Sequence, residues 1–253
     1  MTQHRFENLV VVVVGGGTGI GEATAKTFAR DGATVVIGGR RDDKLKSVVE
    51  AFGSDDCDRH SAGSIHARTI DVADDSSVKA FFDGINADQP TIDVMINCAG
   101  INVVDRALHN MDPADWTRVM NINANGAFRC LHAVAADMVR RGGGTIVNVS
   151  SIAGKRALEL AGVVYCSSKF AMTALGTAAA NELKDHGVRV TNVYPGEVNT
   201  PILDARPNPV SDAHRAQILQ PDDVADMIAA IVALPPRAHV PEIVIKPTTQ
   251  HWL

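Results

Sequence analysis

Short runs of apolar, β-branched residues alternate with longer segments of helical period along almost the whole chain. This alternation is typical of a parallel sheet covered by helices on both faces. Several of the runs are almost wholly apolar, as strands buried on both faces usually are. The predicted strands are 9–14, 33–37, 66–70, 92–96, 145–149, 188–193 and 242–245. The predicted helices are 19–31, 42–52, 75–86, 113–140, 164–186 and 222–234.

Length and composition favour one globular domain over residues 1–253. With 45% hydrophobic and 21% charged residues, the chain has enough apolar surface to offset the entropy lost on folding. Asp112 before Pro113 predicts the start of a helix, and Gly187 predicts the end of another. The segment 201–221 carries four prolines and no clear period, which predicts a substrate loop or lid.

Charge and hydropathy exclude several classes of protein. The formal net charge of −5 comes from acidic and basic residues that interleave along the chain, so no basic surface is offered to nucleic acid. The apolar run Leu9 to Val14 is too short to span a bilayer and leads into glycines rather than a cleavage site. We therefore expect a cytoplasmic protein that binds neither nucleic acid nor membrane.

The four cysteines lie far apart in the sequence. Because close spacings are missing, we expect reduced thiols rather than a metal knuckle or a disulfide scaffold. Cys57 has His60 and His66 nearby, which leaves a metal cluster as the alternative to a polar surface loop over 53–64. No compact ligand pair accompanies them, so the loop is favoured and no metal site is predicted.

A glycine cluster lies between the first predicted strand and the first predicted helix. Glycines let the backbone turn sharply and approach a pyrophosphate, and the start of the helix attracts its negative charge. The position between a buried strand and a helix favours a dinucleotide site over a merely tight turn. The residues predicted to bind the cofactor here are Gly15, Gly17, Thr18, Gly19, Ile20 and Gly21.

Tyr165 and Lys169 stand four residues apart on a predicted helix, so their side chains share one face. A tyrosine with an ordinary pKa of about 10 is a poor base at neutral pH. A nearby lysine ammonium favours the phenolate and brings that pKa toward the working range. Taken alone, this spacing is common and usually marks a solvated helix face.

Several motifs together resemble the short-chain dehydrogenase/reductase family, in its single-domain branch. The glycine spacing G-x-x-x-G-x-G, the Asn97 to Gly100 segment, the Asn148 to Ser151 segment and the Pro195 to Thr200 segment all match, and the likeness runs from Val10 to about Thr200. The departures from the pattern are Val14 in place of threonine, Cys98 in place of asparagine, and a tail without an Asp-Gly-Gly segment. The resemblance implies a doubly wound, Rossmann-type α/β fold with about seven strands.

The resemblance also implies a nicotinamide cofactor. An acid at the position of Gly39 would favour NAD, whereas Arg40 is expected to bind the 2′-phosphate of NADP, with Arg41 beside it and stacking on adenine as the alternative for Arg40. We therefore expect NADP, with NAD as the second choice. The other residues implied to bind the cofactor are Asp71, Val72, Asn97, Ala99, Gly100, Tyr165, Lys169, Pro195, Gly196, Val198 and Thr200. For Asn97, a purely structural role in the sheet is the alternative.

Residue by residue, the resemblance implies a catalytic set. Tyr165 is the general acid/base, Ser151 binds the substrate oxygen, Lys169 holds the nicotinamide ribose, and Asn123 positions a water that links the lysine to solvent. Ser150 is the alternative to Ser151. The expected reaction is hydride transfer between nicotinamide C4 and a carbonyl or secondary alcohol.

Substrate and assembly are less constrained by the sequence. For Glu197, a solvated loop carboxylate is favoured over a substrate contact. A homo-oligomer, a tetramer, is expected from the resemblance, with the small residues of 171–180 packing either on a second copy or on their own sheet. A nucleotide-sensing protein without turnover is the rival function, and the short tail argues against an epimerase or dehydratase. The residues expected to line an apolar substrate pocket are Ile101, Asn102, Leu158, Val163, Ile202 and Leu203.

Overall fold

A computed structural model describes residues 4–54, 63–89 and 91–251. In this part of the chain, one parallel sheet has the strand order β3-β2-β1-β4-β5-β6-β7. The strands are β1 Val10–Val14, β2 Thr34–Gly39, β3 Ser64–Thr69, β4 Val94–Asn97, β5 Gly144–Val149, β6 Val188–Pro195 and β7 Glu242–Ile245. The predicted doubly wound fold is confirmed.

Eight α-helices connect and cover the strands in the described ranges. They are α1 Gly19–Arg30, α2 Asp42–Ser54, α3 Asp75–Asp88, α4 Pro113–Met120, α5 Gly126–Arg141, α6 Val163–Leu183, α7 Asp212–Arg215 and α8 Pro221–Val232. The single helix predicted over 113–140 is wrong in one respect, because a π-helical turn, Asn121–Asn125, separates α4 from α5. Such a turn carries a wider backbone loop than an α-helix and often occurs at functional sites.

The central strand β1 is buried on both faces, which explains its unbroken run of valines. Val11 and Val13 belong to a core layer that includes Phe28 of α1 and Ile228 of α8. Val12 and Val14 belong to the opposite layer, against helices α3 and α5. The strand order reverses between β1 and β4, and open α/β sheets bind ligands in the crevice at that point.

Helix ends follow the local sequence signals. The Asp112 carboxylate accepts from the Ala114 N–H at 2.8 Å, with Pro113 in the first helical turn. The chain leaves α6 through a 3₁₀ turn that ends at Gly187, with φ of 73°. Both predicted ends are confirmed.

The predicted lid, 201–221, is more regular than an irregular loop. It contains the 3₁₀ helix Pro201–Ala205 and the short helix α7, and its last residue, Pro221, begins α8. Its two ends lie side by side, because the Asn199 N–H donates to the Leu219 carbonyl at 2.8 Å and the Leu219 N–H donates to the Glu197 carbonyl at 3.2 Å. The sequence does not predict these helices, because a helix of one or two turns is too short to show a periodic pattern of apolar residues.

Most of the 53–64 loop, with Cys57 and His60, lies outside the described residues. His66 lies on β3, with its Nε2 3.0 Å from the Ser64 hydroxyl oxygen. In the described ranges, no group of three His, Cys, Asp or Glu side chains is placed to hold a metal ion. No helix in those ranges is both long and apolar enough to cross a membrane.

Candidate active site

The glycine loop after β1, which we call the cradle, packs so closely that Gly15 and Gly21 have no room for side chains. Gly15 has a φ of 84°, and a Cβ atom there would lie 2.7 Å from the Ala99 nitrogen. A Cβ atom on Gly21 would lie 2.2 Å from the Gly15 carbonyl oxygen. Helix α1 begins directly after this loop, and the Thr18 side chain makes no capping hydrogen bond to it. The loop therefore leaves helix N–H groups for an anion, which fits the pyrophosphate of a dinucleotide.

A cleft of about 600 Å³ extends from this cradle along the carboxyl ends of the strands. It brings together most of the residues predicted from the sequence. The predicted cofactor and catalytic residues that line it are Gly15, Gly17, Thr18, Gly19, Ile20, Gly21, Arg40, Arg41, Val72, Ala99, Gly100, Ser151, Tyr165, Lys169, Pro195, Gly196, Val198 and Thr200. The apolar part includes Ile101, Leu158, Ile202 and Leu203, but Val163 is not in the lining.

Asp71 and Asn97 lie behind the cleft lining rather than in it. The Asp71 carboxylate accepts from the Ala73 N–H at 3.0 Å and so shapes the turn before α3. Asn97 is 1% exposed, its Oδ1 accepts from the Ala99 N–H at 3.2 Å, and its buried Nδ2 has no partner in the described chain. Their direct contact with a cofactor stays a prediction.

Tyr165 and Lys169 lie on the first two turns of α6, beside the end of β5. The Lys169 Nζ atom is 5.6 Å from the centre of the Tyr165 ring and donates to the Val149 carbonyl at 3.0 Å. The Ser151 Oγ accepts from the Ala153 N–H at 3.1 Å, and its side chain lies close enough to Tyr165 to lower the pKa of the phenol by hydrogen bonding. Ser150 instead donates its hydroxyl to the Lys169 carbonyl at 3.3 Å. This geometry favours Ser151 over Ser150 as the partner of the tyrosine.

Burial controls the protonation of both groups. It raises the pKa of Tyr165 to about 12, against the opposing effect of the Ser151 hydrogen bond. It also lowers the pKa of Lys169 to about 8. The charge that lowers the pKa of Tyr165 is that of Arg106, and burial outweighs it. The lowering of this pKa by the lysine stays a prediction. Tyr165 is a phenol with a proton to give.

Asn123 connects the π-helical turn to the catalytic helix. Its Oδ1 accepts from the Ile101 N–H at 2.8 Å, and its Nδ2 donates to the Ile101 carbonyl at 2.9 Å and to the Ser168 hydroxyl at 3.0 Å. A Cβ atom on Gly100 would lie 3.4 Å from the Lys169 Nζ and 3.6 Å from the Asn123 Oδ1. Asn123 thus positions the loop after β4 against the residue that precedes Lys169. Its water stays a prediction.

The model of the short chain dehydrogenases matches residues 9–210. The chain belongs to this family. It is 33% identical over 242 residues to a (3R)-3-hydroxyacyl-CoA dehydrogenase of Rattus norvegicus, with 92% of each chain covered. It is 31% identical over 230 residues to the 3-oxoacyl-(acyl-carrier-protein) reductase FabG of Thermotoga maritima, with 88% of this chain and 90% of the relative covered.

A solved structure, that of a metagenomic short-chain oxidoreductase in complex with NADP, is similar with a TM-score of 0.82 and 30% identity. The likeness covers 97% of this chain and 100% of the other. This short-chain dehydrogenase is therefore an oxidoreductase of a family that uses NAD or NADP, which confirms the predicted family and the nicotinamide cofactor.

At the end of the cleft where the adenosine of a cofactor is predicted to bind, this short-chain dehydrogenase has three cations, Arg40, Arg41 and Lys44. The sequence analysis did not predict that Lys44 lines this cleft. Its position in the first turn of α2, close after Arg40 and Arg41, could have indicated it. The Asp42 carboxylate is paired with Lys46 at 2.7 Å. A Cβ atom on Gly39 would meet only Leu45 atoms, the nearer at 3.5 Å, so a Cβ atom there is sterically tolerated.

Glu197 is not the solvated loop carboxylate favoured from the sequence. Its side chain is only 19% exposed, lines the cleft, and binds Arg206 at 2.8 Å and His214 at 2.6 Å. Burial raises the pKa of this carboxyl, but the two hydrogen bonds together hold it below its usual value. No local sequence pattern indicates this pairing, because both partners lie in the lid and Glu197 lies before it.

Two further residues were missed. Gln250, from the tail, accepts from the Glu197 N–H at 3.1 Å and completes the cleft wall. Arg106 enters the cleft from the loop before α4 and is 8% exposed. A lone arginine in an unpatterned loop gives no signal of burial.

Lys169 makes the stability of the fold depend on pH. Its pKa is about 8 in the native state against its usual 10.5, so between those values the unfolded chain binds more protons and the free energy of unfolding rises with pH. Below that interval the buried charge costs on the order of 3 kcal/mol. We expect Lys169→Met to be more stable than the wild type below pH 8 in urea unfolding, by an amount that shrinks toward pH 10.5.

The matched control is Lys184→Met, which removes an exposed lysine from the turn that follows α6. Its effect on the free energy of unfolding should be small and the same across the interval. A stability difference for Lys169→Met that does not change with pH would contradict the burial of a charged lysine.

Proposed function

We propose that this protein transfers a hydride between nicotinamide C4 and a carbonyl or secondary alcohol, with Tyr165 as general acid/base and NADP as the preferred cofactor. The proposal is carried by one observation: Tyr165, with Lys169 one helical turn away, lines the same cleft as Ser151 and the glycine loop. The names of the two relatives, a hydroxyacyl dehydrogenase and an oxoacyl reductase, describe the two directions of such chemistry.

The chain's own residues supply orientation and the proton. When bound, the cofactor supplies or accepts the hydride. In reduction, the Ser151 hydroxyl donates to the substrate carbonyl oxygen, and the Tyr165 phenol gives its proton to that oxygen as negative charge develops there. Lys169, fixed at the Val149 carbonyl, presents its remaining N–H groups to the cofactor ribose. Asn123 holds the loop after β4 against α6 through its hydrogen bonds to Ile101 and Ser168.

The preference for NADP rests on charge at the adenosine end. Arg40, Arg41 and Lys44 line that end of the cleft, and no carboxylate of the described residues is paired with Arg40. A 2′-phosphate would meet guanidinium groups that suit bidentate hydrogen bonding.

An absorbance assay tests the activity. Purified protein is mixed with NADPH or NADH and a panel of ketones, and with NADP or NAD and the matching alcohols. We expect turnover of at least one pair, faster with the phosphorylated cofactor. The rival, a nucleotide sensor, would bind NADPH without turning over any member of the panel.

We also propose a homo-oligomer, a tetramer, in the cytoplasm. Exposed apolar and small side chains form one face of α6 through Phe170, Ala174 and Ala178, and Phe128 is exposed on α5. Gly176 serves the other predicted role, because a Cβ atom there would lie 2.1 Å from the Asn192 Oδ1. Some small residues of 171–180 therefore pack on the sheet of their own chain, whereas others lie on the exposed face of α6.

Light scattering at micromolar concentration checks the assembly. We expect a tetramer for the wild type and smaller species for Phe128→Asp with Phe170→Asp, since a carboxylate buried at an interface is strongly unfavourable. Leu108→Asp is the control, because Leu108 is equally apolar and 75% exposed but lies off these helices. A monomeric wild type would refute the proposal.

A further inference from the structure

Arg106 holds a buried positive charge that the fold does not neutralise. Its guanidinium donates to the Leu160 carbonyl at 3.0 Å and to the Ala205 carbonyl. Its Nε atom is buried and has no hydrogen-bond partner in the described chain. No carboxylate of the described residues pairs with it. A buried charge without a counter-ion costs several kcal/mol, so a site of this kind favours a ligand that brings the opposite charge.

Glu197, the neighbouring acid, forms its ion pairs with basic residues other than Arg106. Glu197 binds Arg206 and His214, so the Glu197 charge is compensated within the lid. Arg206 and Arg106 are close enough to repel each other, which adds to the desolvation that lowers the pKa of Arg106. The cleft wall around the lid therefore keeps a net positive charge at Arg106.

Arg106 also lies near the reacting group. It lines the same cleft as Ser151 and Tyr165, and its charge lowers the pKa of Tyr165 while burial, the larger effect, raises it. Apolar side chains occupy much of the wall between the lid and Tyr165, among them Leu158 and Leu203. Ligand pockets of this composition fix orientation with a few polar anchors.

We infer that Arg106 binds an anionic group, a carboxylate or a sulfonate, on the carbonyl substrate, so that the preferred substrates are oxo acids and hydroxy acids rather than uncharged ketones and alcohols. This rests on the proposed function and narrows its substrate class. Guanidinium carries five N–H donors, and two donate to backbone carbonyls. The remaining donors and the uncompensated charge are what an anion requires.

Matched acids and esters test the inference. Pyruvate, acetoacetate and levulinate are each compared with their methyl esters, which keep the ketone and remove the charge. With the wild type we expect kcat/KM to favour the best acid over its ester by about tenfold or more, the range of a charge-assisted hydrogen bond. Arg106→Gln should remove that preference, mainly through KM of the acid, and Arg106→Lys should keep part of it.

A half-buried arginine elsewhere, which also donates to backbone carbonyls, provides the control. Arg189 donates to the Leu234, Ala238 and Val232 carbonyls and to the Thr145 hydroxyl, outside the cleft. Arg189→Gln should lower the melting temperature and leave the ratio of acid to ester unchanged. Equal losses for acid and ester in Arg106→Gln would identify Arg106 as a tether between two loops and overturn the inference.

A binding measurement separates this inference from the proposed activity. In the presence of NADP, lactate, 3-hydroxybutyrate and 4-hydroxyvalerate are compared with their amides by thermal shift, for the wild type and Arg106→Gln. Stabilisation by at least one acid, absent with its amide and lost in the variant, supports the site even if no ketone is turned over. Esters turned over as well as acids, or equal stabilisation by acids and amides, would overturn the inference and leave the proposed activity standing.

Discussion

Tyr165→Phe is expected to lower kcat by at least about a hundredfold, the scale of a lost general acid, while NADPH binds almost as in the wild type. The ring still packs in the first turns of α6, but no proton can move from it to the substrate oxygen. Burial keeps the phenol protonated, with a pKa of about 12, so the wild-type group is ready to donate. Steady-state kinetics and a fluorescence titration of NADPH measure the two effects separately.

The chain offers a matched control in its second tyrosine. Tyr194 lies on β6, fully buried and outside the cleft lining. Tyr194→Phe makes the same chemical change, the loss of a phenolic hydroxyl, at a position outside the cleft. This variant should therefore retain near-native kcat. Near-native activity in Tyr165→Phe would refute the proposed proton transfer, whatever the behaviour of the control.

The second large effect concerns the choice of cofactor. Arg40→Ala removes a guanidinium from the adenosine end and adds no contact for a bare ribose, so the loss should fall on NADPH rather than on NADH. A charge-assisted contact is worth roughly 1.5–3 kcal/mol, or about tenfold to more than a hundredfold in affinity. Thr18 places no second cation in the glycine loop, but Lys44 adds one from α2.

Two further variants sharpen this experiment. Gly39→Asp places its Cβ atom at ordinary van der Waals distance from Leu45 and should reverse the preference, because its carboxylate would accept from the 2′-hydroxyl and repel the 2′-phosphate. Lys46→Ala removes an exposed lysine paired with Asp42, outside the cleft, and should change neither affinity. Equal wild-type affinity for the two reduced cofactors in fluorescence titrations, or equal losses in Arg40→Ala, would contradict the assignment.

Sequence analysis predicted the fold and the placement of Tyr165 and Lys169 on one helix, which the structure confirms, because both leave dense local signals. The valine run of β1 marks a strand buried on both faces, and the spacing of Tyr165 and Lys169 follows directly from helical geometry. It did not reach the π-helical turn at Asn123, since one extra residue in a turn leaves the apolar pattern nearly unchanged. The partners of Glu197 and the burial of Arg106 depend on contacts between distant loops, which no local pattern encodes.

The ends of the lid meet at Asn199 and Leu219, where two backbone hydrogen bonds join them. The two backbone hydrogen bonds close this segment into a loop, and lengthening it costs little entropy because closure entropy grows slowly with loop length. Insertions, deletions or wholesale exchange between these two residues would leave β6 and α8 in place. Selection can therefore alter which molecules this cleft accepts without altering the glycine loop or helix α6, so new specificities are accessible without rebuilding the rest of the fold.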